Sequence, residues 1–145
     1  MHDLPRQLSV DELDELFEGH TRLTEELARR EDPLGQARAV LEELPEEAQI
    51  EALNTHPRIG ERGGSERSME EQGSEDDPAL LGALRRLNKS YEEKFGFRFV
   101  VFVNRRPRAE IISVLRERLQ HARHEELGTG LDELVAIALD RWQSR

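Results

Sequence analysis

A histidine at the end of a predicted helix is the first residue in this chain that could carry chemistry. His56 follows a segment with helical periodicity, precedes Pro57, and opens a polar stretch whose first part, residues 57–65, has three glycines and no apolar face. Proline biases the residue before it away from the α region. An imidazole can give or take a proton near neutral pH. The alternative is a histidine that caps the last carbonyls of its helix, where a cation is favoured.

A hydroxyl, a carboxylate and a carboxamide follow within the polar stretch. Ser68, Glu71 and Gln72 are spaced i, i+3 and i+4, so they would share one face of a helical turn. Such a face offers donors and acceptors that suit a polar heterocycle. Ser68 and Glu71 could instead form a capping box, although residues 73–78 leave little helix to cap.

Two features of the second half of the chain could also contact a ligand. Arg141 borders the apolar stripe of the last predicted helix, where a partly desolvated guanidinium could bind a carboxylate or a ureide. It could equally be a cation near a helix C-terminus. Residues 95–103 are aromatic and β-branched but have no partner strand, which predicts a buried extended segment or a helix start. The buried backbone groups of such a segment must be paired, by a ligand or by helix ends and water.

The elements that must position these residues are helices. Apolar residues recur at helical spacing along the chain outside the polar stretch and residues 95–103. Helix starts are predicted at three capping signals, namely Ser9 with Glu12, Asp32 before Pro33, and Asp77 before Pro78. We predict an all-α, single compact domain over residues 1–145, with about seven to eight helices. Gly128 and Gly130 are expected to fray the first turns of the last helix. The arginines expected to be solvated are Arg58, Arg62, Arg105, Arg106 and Arg108.

Composition excludes several classes of protein. The net charge of −10, with 36% of residues charged, gives an acidic surface that disfavours binding to nucleic acid or to anionic membranes. The chain has no cysteine, which excludes disulfides, thiolate zinc sites and a cysteine nucleophile. The N-terminus lacks the apolar core of a signal peptide, and no apolar run has the length of a membrane span, so we expect a cytoplasmic protein.

Taken in order, five segments of the chain resemble one family, the 2-oxo-4-hydroxy-4-carboxy-5-ureidoimidazoline (OHCU) decarboxylases of the route from urate to allantoin. The segments are HPRIGE (56–61), SMEEQ (68–72), LNKSYEEKFGFRFVVFVNRR (87–106), LRERLQ (115–120) and DRW (140–142). The resemblance implies an all-helical carboxy-lyase that needs no cofactor or metal and is typically a homodimer. Its partner would be the small-molecule substrate OHCU, which is converted to (S)-allantoin.

The resemblance also implies roles for individual residues. His56 and Glu71 would be catalytic, and the nearby carboxylate would fix the tautomer of His56 and raise its pKa. The residues that would bind substrate are Pro57, Ser68, Gln72, Phe99, Val100, Val101, Phe102, Val103 and Arg141. Two alternatives stay open, a relative that acts on another small heterocyclic acid and a non-enzymatic helical interaction module.

Overall fold

Residues 4–59 and 77–144 are described by the computed structural model, and they form seven α-helices without a β-strand. The helices are α1 (Val10–Leu16), α2 (Arg22–Leu27), α3 (Pro33–Glu43), α4 (Glu46–Asn54), α5 (Pro78–Phe95), α6 (Arg108–Arg118) and α7 (Arg123–Gln143). The predicted all-α class is confirmed. None of the described helices is long and apolar enough to cross a membrane.

The helices begin where the capping signals predict. Ser9 and Glu12 form a capping box at the start of α1. The carboxylates of Asp32 and Asp77 accept backbone N–H groups in the first turns of α3 and α5. Each cap satisfies an amide that the first turn of a helix leaves without a partner. These boundaries are therefore set locally, by residues close together in the sequence.

A continuous hydrophobic core joins the described helices. Each of the seven contributes at least two buried apolar side chains, and those of Leu13, Leu23 and Leu53 are fully buried. Removal of this apolar surface from water is the main driving force for the fold. The same core surrounds the chain between α5 and α6, and this connection carries part of the candidate site.

Residues 97–103 cross the core as neither helix nor strand. Gly96 ends α5 with a φ of 82°, a left-handed conformation that glycine adopts without steric cost. The buried side chains of the segment are those of Phe97, Phe99, Val100, Val101 and Val103. The prediction of a buried extended segment is confirmed, and the alternative of a helix start is wrong.

Two expectations about individual residues are not met. The helix α7 is continuous through Gly128 and Gly130, so the predicted fraying is not observed. A Cβ at Gly130 would lie 3.3 Å from Cδ2 of Leu53, so glycine lets α4 and α7 approach closely. The expectation that Arg108 is solvated is wrong, because it is only 8% exposed.

Candidate active site

The break after α4 holds His56 in place from several sides. The guanidinium of Arg98 donates to the carbonyl of His56 over 2.8 Å. Three residues further on, the carbonyl of Ile59 accepts from the side-chain amide of Asn88 over 3.0 Å. The chain on both sides of Pro57 is therefore anchored to the segment after α5 and to α5 itself.

His56 faces a cavity that brings together three separate parts of the chain. The cavity contains about 410 Å³ of empty space, counted out to its open mouth. Its lining residues are His56, Pro57, Ile59, Phe99, Val100, Val101, Phe102, Val103, Ile137 and Arg141. Every site residue expected from the sequence within the described ranges lies at this one cavity.

The remaining three site residues cannot be placed in the same way. Ser68, Glu71 and Gln72 lie outside the described residues 4–59 and 77–144. Their position relative to His56 therefore stays a prediction. Within the described ranges, no group of three or more His, Asp or Glu side chains could hold a metal ion.

His56 is buried and electrically neutral at pH 7. It is 6% exposed, and its Nε2 atom has no hydrogen-bond partner in the part of the chain that is described. Burial and the positive charge of Arg141 lower the pKa of His56 to about 4, while the carboxylate of Glu18 acts in the opposite direction. The expectation that a carboxylate raises the pKa of His56 is wrong for the net shift, because the loss of hydration outweighs the nearby negative charge.

The alternative of a helix-capping histidine is not supported by this environment. A neutral imidazole lacks the positive charge that stabilises a helix C-terminus. In the described structure, no hydrogen bond joins the His56 ring to a carbonyl of α4. The ring therefore keeps its hydrogen-bonding capacity for something that enters the cavity.

Arg141 reaches the same cavity from α7 and is largely desolvated. Its Nη1 donates to the carbonyl of Leu16 over 2.9 Å. Its Nη2 lies 3.1 Å from Oε1 of Glu18, and the two side chains are 2% and 9% exposed. The hypothesis of a desolvated guanidinium is confirmed, and contact with a substrate stays a prediction. Arg141 also lies in the last turn of α7, as the alternative of a cation near a helix C-terminus expected.

Glu18 is the charged residue at this site that the sequence analysis missed. A single acidic residue after a short helix carries no recognisable signal, because an acid is not favoured at a helix C-terminus. Its position depends on a tertiary contact between the ends of α1 and α4. The hydroxyl of Thr55 lies 3.1 Å from the carbonyl of Phe17, so the next residues along the chain, Glu18 and His56, are brought to one place.

A second ionic cluster supports the segment that lines the cavity. Arg118 donates from Nη1 to the carbonyl of Val100 over 2.7 Å and from Nε to Oε1 of Glu126 over 2.8 Å. The Tyr91 hydroxyl donates to the same carboxylate oxygen over 2.5 Å. Burial and this hydrogen bond raise the pKa of Tyr91, so the hydroxyl stays protonated. Arg118 also lies over the ring of Phe99, 4.5 Å from its centroid.

Arg106 holds the end of the same segment. Its Nη2 donates to the carbonyl of Phe102 over 2.6 Å, and its Nε to that of Val103 over 3.1 Å. The expectation that Arg106 is solvated is therefore wrong. Between these anchored carbonyls, Val101 has neither its N–H nor its C=O in a hydrogen bond with any described residue. Val101 is one of the residues that line the cavity.

The fold and the cavity together define a class, a helical protein whose small-molecule site is built around a buried neutral histidine, a desolvated arginine and an extended backbone. A family model described as OHCU decarboxylase matches residues 2–143. This chain belongs to the OHCU decarboxylase family.

Two relatives from halophilic archaea carry the name 2-oxo-4-hydroxy-4-carboxy-5-ureidoimidazoline decarboxylase. The protein from Halalkalicoccus jeotgali is 34% identical over 113 residues, which cover 74% of this chain and 64% of that protein. The protein from Haloferax volcanii is 31% identical over 141 residues, which cover 89% and 83% respectively. The match thus spans slightly less than two thirds of the first relative and most of the second.

A solved structure has the same fold. A crystal structure of OHCU decarboxylase in the presence of (S)-allantoin superposes with a TM-score of 0.75 and 21% sequence identity. The superposition covers 90% of this chain and 94% of that one. At this identity the similarity establishes the fold of the chain.

Proposed function

We propose that this chain removes carbon dioxide from OHCU and releases (S)-allantoin, the reaction from which its family takes its name. The observation that carries the proposal is the single cavity shared by His56, Arg141 and the backbone of Val101. It offers a neutral acid–base group, a guanidinium and two unpaired peptide groups to one small polar ligand. Family membership favours this enzyme over the alternative of a non-enzymatic interaction module.

The substrate supplies its own electron sink for the reaction. The carbon that loses carbon dioxide carries a hydroxyl and lies next to a C=N bond of the ring. When the bond to the carboxylate breaks, its electron pair forms a C=C bond and the C=N pair moves onto nitrogen, which takes up a proton. Loss of the hydroxyl proton and addition of a proton to the ureido-bearing carbon then give the ring ketone of allantoin.

The proposed roles follow from the state of each group. A neutral His56 can accept the hydroxyl proton and, as the charged imidazolium, return a proton to the ureido-bearing carbon. Arg141 and the Val101 backbone would hold the carboxylate and the ureide, so that proton transfer occurs on one face. Positioning and fixed hydrogen bonds would supply most of the rate. Glu71, from the part of the chain that is not described, would orient His56 or the substrate hydroxyl.

Three accompanying properties belong to the same proposal. The chain would act as one domain over residues 1–145, would assemble as a homodimer, and would need no cofactor. Light scattering coupled to size-exclusion chromatography measures the assembly directly. Dialysis against a chelator should leave turnover unchanged, and activity that is lost and then restored by a divalent metal would contradict a cofactor-free reaction.

The decisive test follows the chirality of the product. The purified chain is added to freshly generated urate oxidation products, and circular dichroism records allantoin as it forms. We expect faster conversion and an excess of the (S) enantiomer, because an enzyme delivers the proton to one face. Racemic allantoin formed at the uncatalysed rate would refute the proposal. Binding of allantoin without turnover would point instead to another small heterocyclic acid as substrate.

A further inference from the structure

The residue after the C-cap of α1 has an unusual backbone conformation for its type. Glu18 has a φ of 65°, in the left-handed region that glycine, asparagine and aspartate favour. A glutamate there is sterically disfavoured, and such residues cluster at functional sites when surrounding structure holds them in place. Gly19 is the very next residue, so a glycine is present but does not occupy the left-handed position.

The conformation of Glu18 accompanies a buried ion pair at the cavity. Its carboxylate Oε1 lies 3.1 Å from Nη2 of Arg141, and its side chain is 9% exposed. The other terminal nitrogen of that guanidinium donates to the carbonyl of Leu16, two residues before Glu18. The left-handed turn after α1 therefore holds Arg141 by two neighbouring groups, one charged and one neutral.

We propose that Glu18 is a positioning residue for the cavity, where its carboxylate holds the Arg141 guanidinium beside His56. The proposal rests on the function proposed above for this site. The ion pair is needed at this place, because a guanidinium without an anionic partner is costly in a desolvated wall. A guanidinium that is already held in one geometry lowers the entropy lost when an anionic substrate binds.

The same ion pair determines much of the electrostatic environment of His56. The described charged groups close to His56 are Arg141 from α7, Glu18 after α1, and Arg98, whose guanidinium binds the His56 carbonyl. Arg141 lowers the pKa of His56 and Glu18 raises it, so their two effects on this pKa partly cancel. Loss of the Glu18 charge should lower the pKa of His56 further.

The variant that tests the proposal is Glu18→Gln, with Glu15→Gln as its matched control. Both substitutions remove one negative charge near the end of α1, but Glu15 is exposed. Glutamine keeps the size of the side chain and one acceptor oxygen for Arg141. We expect kcat/KM of Glu18→Gln to fall about 10–100-fold, the range found for the outer partners of metal ligands, because Arg141 likewise loses the group that orients it. Most of the loss should appear as a higher KM, and Glu15→Gln should match the unsubstituted protein.

Two outcomes of the kinetic test would overturn the proposal. One is a kcat/KM for Glu18→Gln equal to that of Glu15→Gln. The other is a loss of activity that follows only the fraction of folded protein, measured by thermal melting of the same samples. That second result would mean that Glu18 stabilises the fold without positioning the site.

A readout that needs no turnover separates this proposal from the proposed function. Nuclear magnetic resonance of the ¹⁵N-labelled imidazole measures the pKa of His56 in all three proteins. We expect a lower pKa in Glu18→Gln and an unchanged one in Glu15→Gln. Equal values in the two variants would show that the Glu18–Arg141 pair does not lie beside His56, which would overturn the proposal. If the unsubstituted chain fails to convert OHCU, the proposed function fails, while this titration still decides the role of Glu18.

Discussion

Two ionic clusters in this molecule contain the same three residue types, arginine, glutamate and histidine, and behave differently. The first is the cavity cluster, formed by Arg141, Glu18 and His56. The second is the support cluster, formed by Arg118, Glu126 and His121. The cavity cluster lies where residues 99–103 line the open space, whereas the support cluster binds the Val100 carbonyl of the same segment.

The clusters differ in how completely their imidazole is satisfied. Glu126 is fully buried and accepts from Tyr91 and Arg118 through one oxygen, while its other oxygen lies 2.8 Å from Nδ1 of His121. In the cavity cluster, Nε2 of His56 is buried and lacks a partner among the described residues. Nη2 of Arg118 in the support cluster is also buried without a partner, but of these two residues only His56 lines the cavity, where a catalytic role would account for the unpaired atom.

This difference indicates that residue type alone does not mark a site. An imidazole that already binds a carboxylate has little capacity left for a ligand. An imidazole without such a partner, beside a cavity, can exchange a proton with a ligand in that cavity. The support cluster fixes the segment that forms the wall, and under the proposed function the cavity cluster would act on a ligand that the wall encloses. Variants of matching residues in the two clusters can test this division.

The largest expected effect is on the rate after substitution of the cavity histidine. His56→Asn should lower kcat by about 10²–10⁴-fold, the usual contribution of a general acid–base group. The loss should appear mainly in kcat, because asparagine keeps one hydrogen bond to the substrate but cannot transfer the proton. Steady-state kinetics with OHCU measure the effect.

The matched control for that variant is His121→Asn. His121 contacts Glu126 and is absent from the cavity lining, so its removal should leave kcat close to that of the unsubstituted chain. Equal losses in the two variants would remove the distinction between the clusters. Normal turnover by His56→Asn would show that His56 is not the proton-transfer group.

The next largest effect concerns stability and the support cluster. Glu126→Gln should lower the free energy of unfolding by about 3 kcal/mol, because it leaves the buried Arg118 without a negatively charged partner. The activity of the molecules that remain folded should change much less. Urea unfolding and kinetics on the same preparation measure both quantities. A variant with unchanged stability and lost activity would place Glu126 in the catalytic machinery instead.

A third effect follows from the low pKa of His56. In the unfolded chain this histidine titrates near 6.5, whereas in the folded protein its pKa is about 4. Between these values the unfolded state binds a proton that the folded state does not, so stability falls as the pH falls. Above pH 6.5 the titration of His56 costs no stability. As the pH approaches 4, it lowers the free energy of unfolding by up to about 3 kcal/mol.

The measurement compares the unsubstituted chain with His56→Asn by urea unfolding at several pH values. The difference in unfolding free energy between the two should change in the acidic range and stay constant above pH 6.5. Parallel curves over the whole range would show that the folded protein accepts the proton at His56 as readily as the unfolded chain does.

The fold was largely predictable because its determinants are local. The capping box of Ser9 with Glu12 and the caps at Asp32 and Asp77 each involve residues a few positions apart, and all three helices start there. The site positions also followed from ordered motifs, which placed His56, residues 99–103 and Arg141 at what is one cavity. That prediction depended on the family resemblance, because spacing alone left a purely structural alternative for each residue.

The features that were missed depend on contacts between distant parts of the chain. Glu18 reaches Arg141 across more than a hundred residues, and no local pattern reveals that pair. The sign of the pKa shift at His56 depends on how deeply the ring is buried, which periodicity does not show. Gly130 was expected to weaken α7, but the absence of a side chain there lets Leu53 of α4 approach closely.

The smallest expected effect tests how the two ends that carry Glu18 and His56 are held together. The hydroxyl of Thr55 lies 3.1 Å from the carbonyl of Phe17 and 2.9 Å from that of Ala52. Thr55→Val keeps the shape of the side chain and removes both contacts, which should cost about 1 kcal/mol of stability. If this hydroxyl sets the spacing in the cavity cluster, kcat/KM should fall as well. Ser113→Ala is the matched control, because its hydroxyl is exposed on α6 and lies 3.4 Å from the carbonyl of Ala109. A Thr55→Val protein that is less stable but has an unchanged kcat/KM would show that the Glu18–Arg141 pair maintains the spacing by itself.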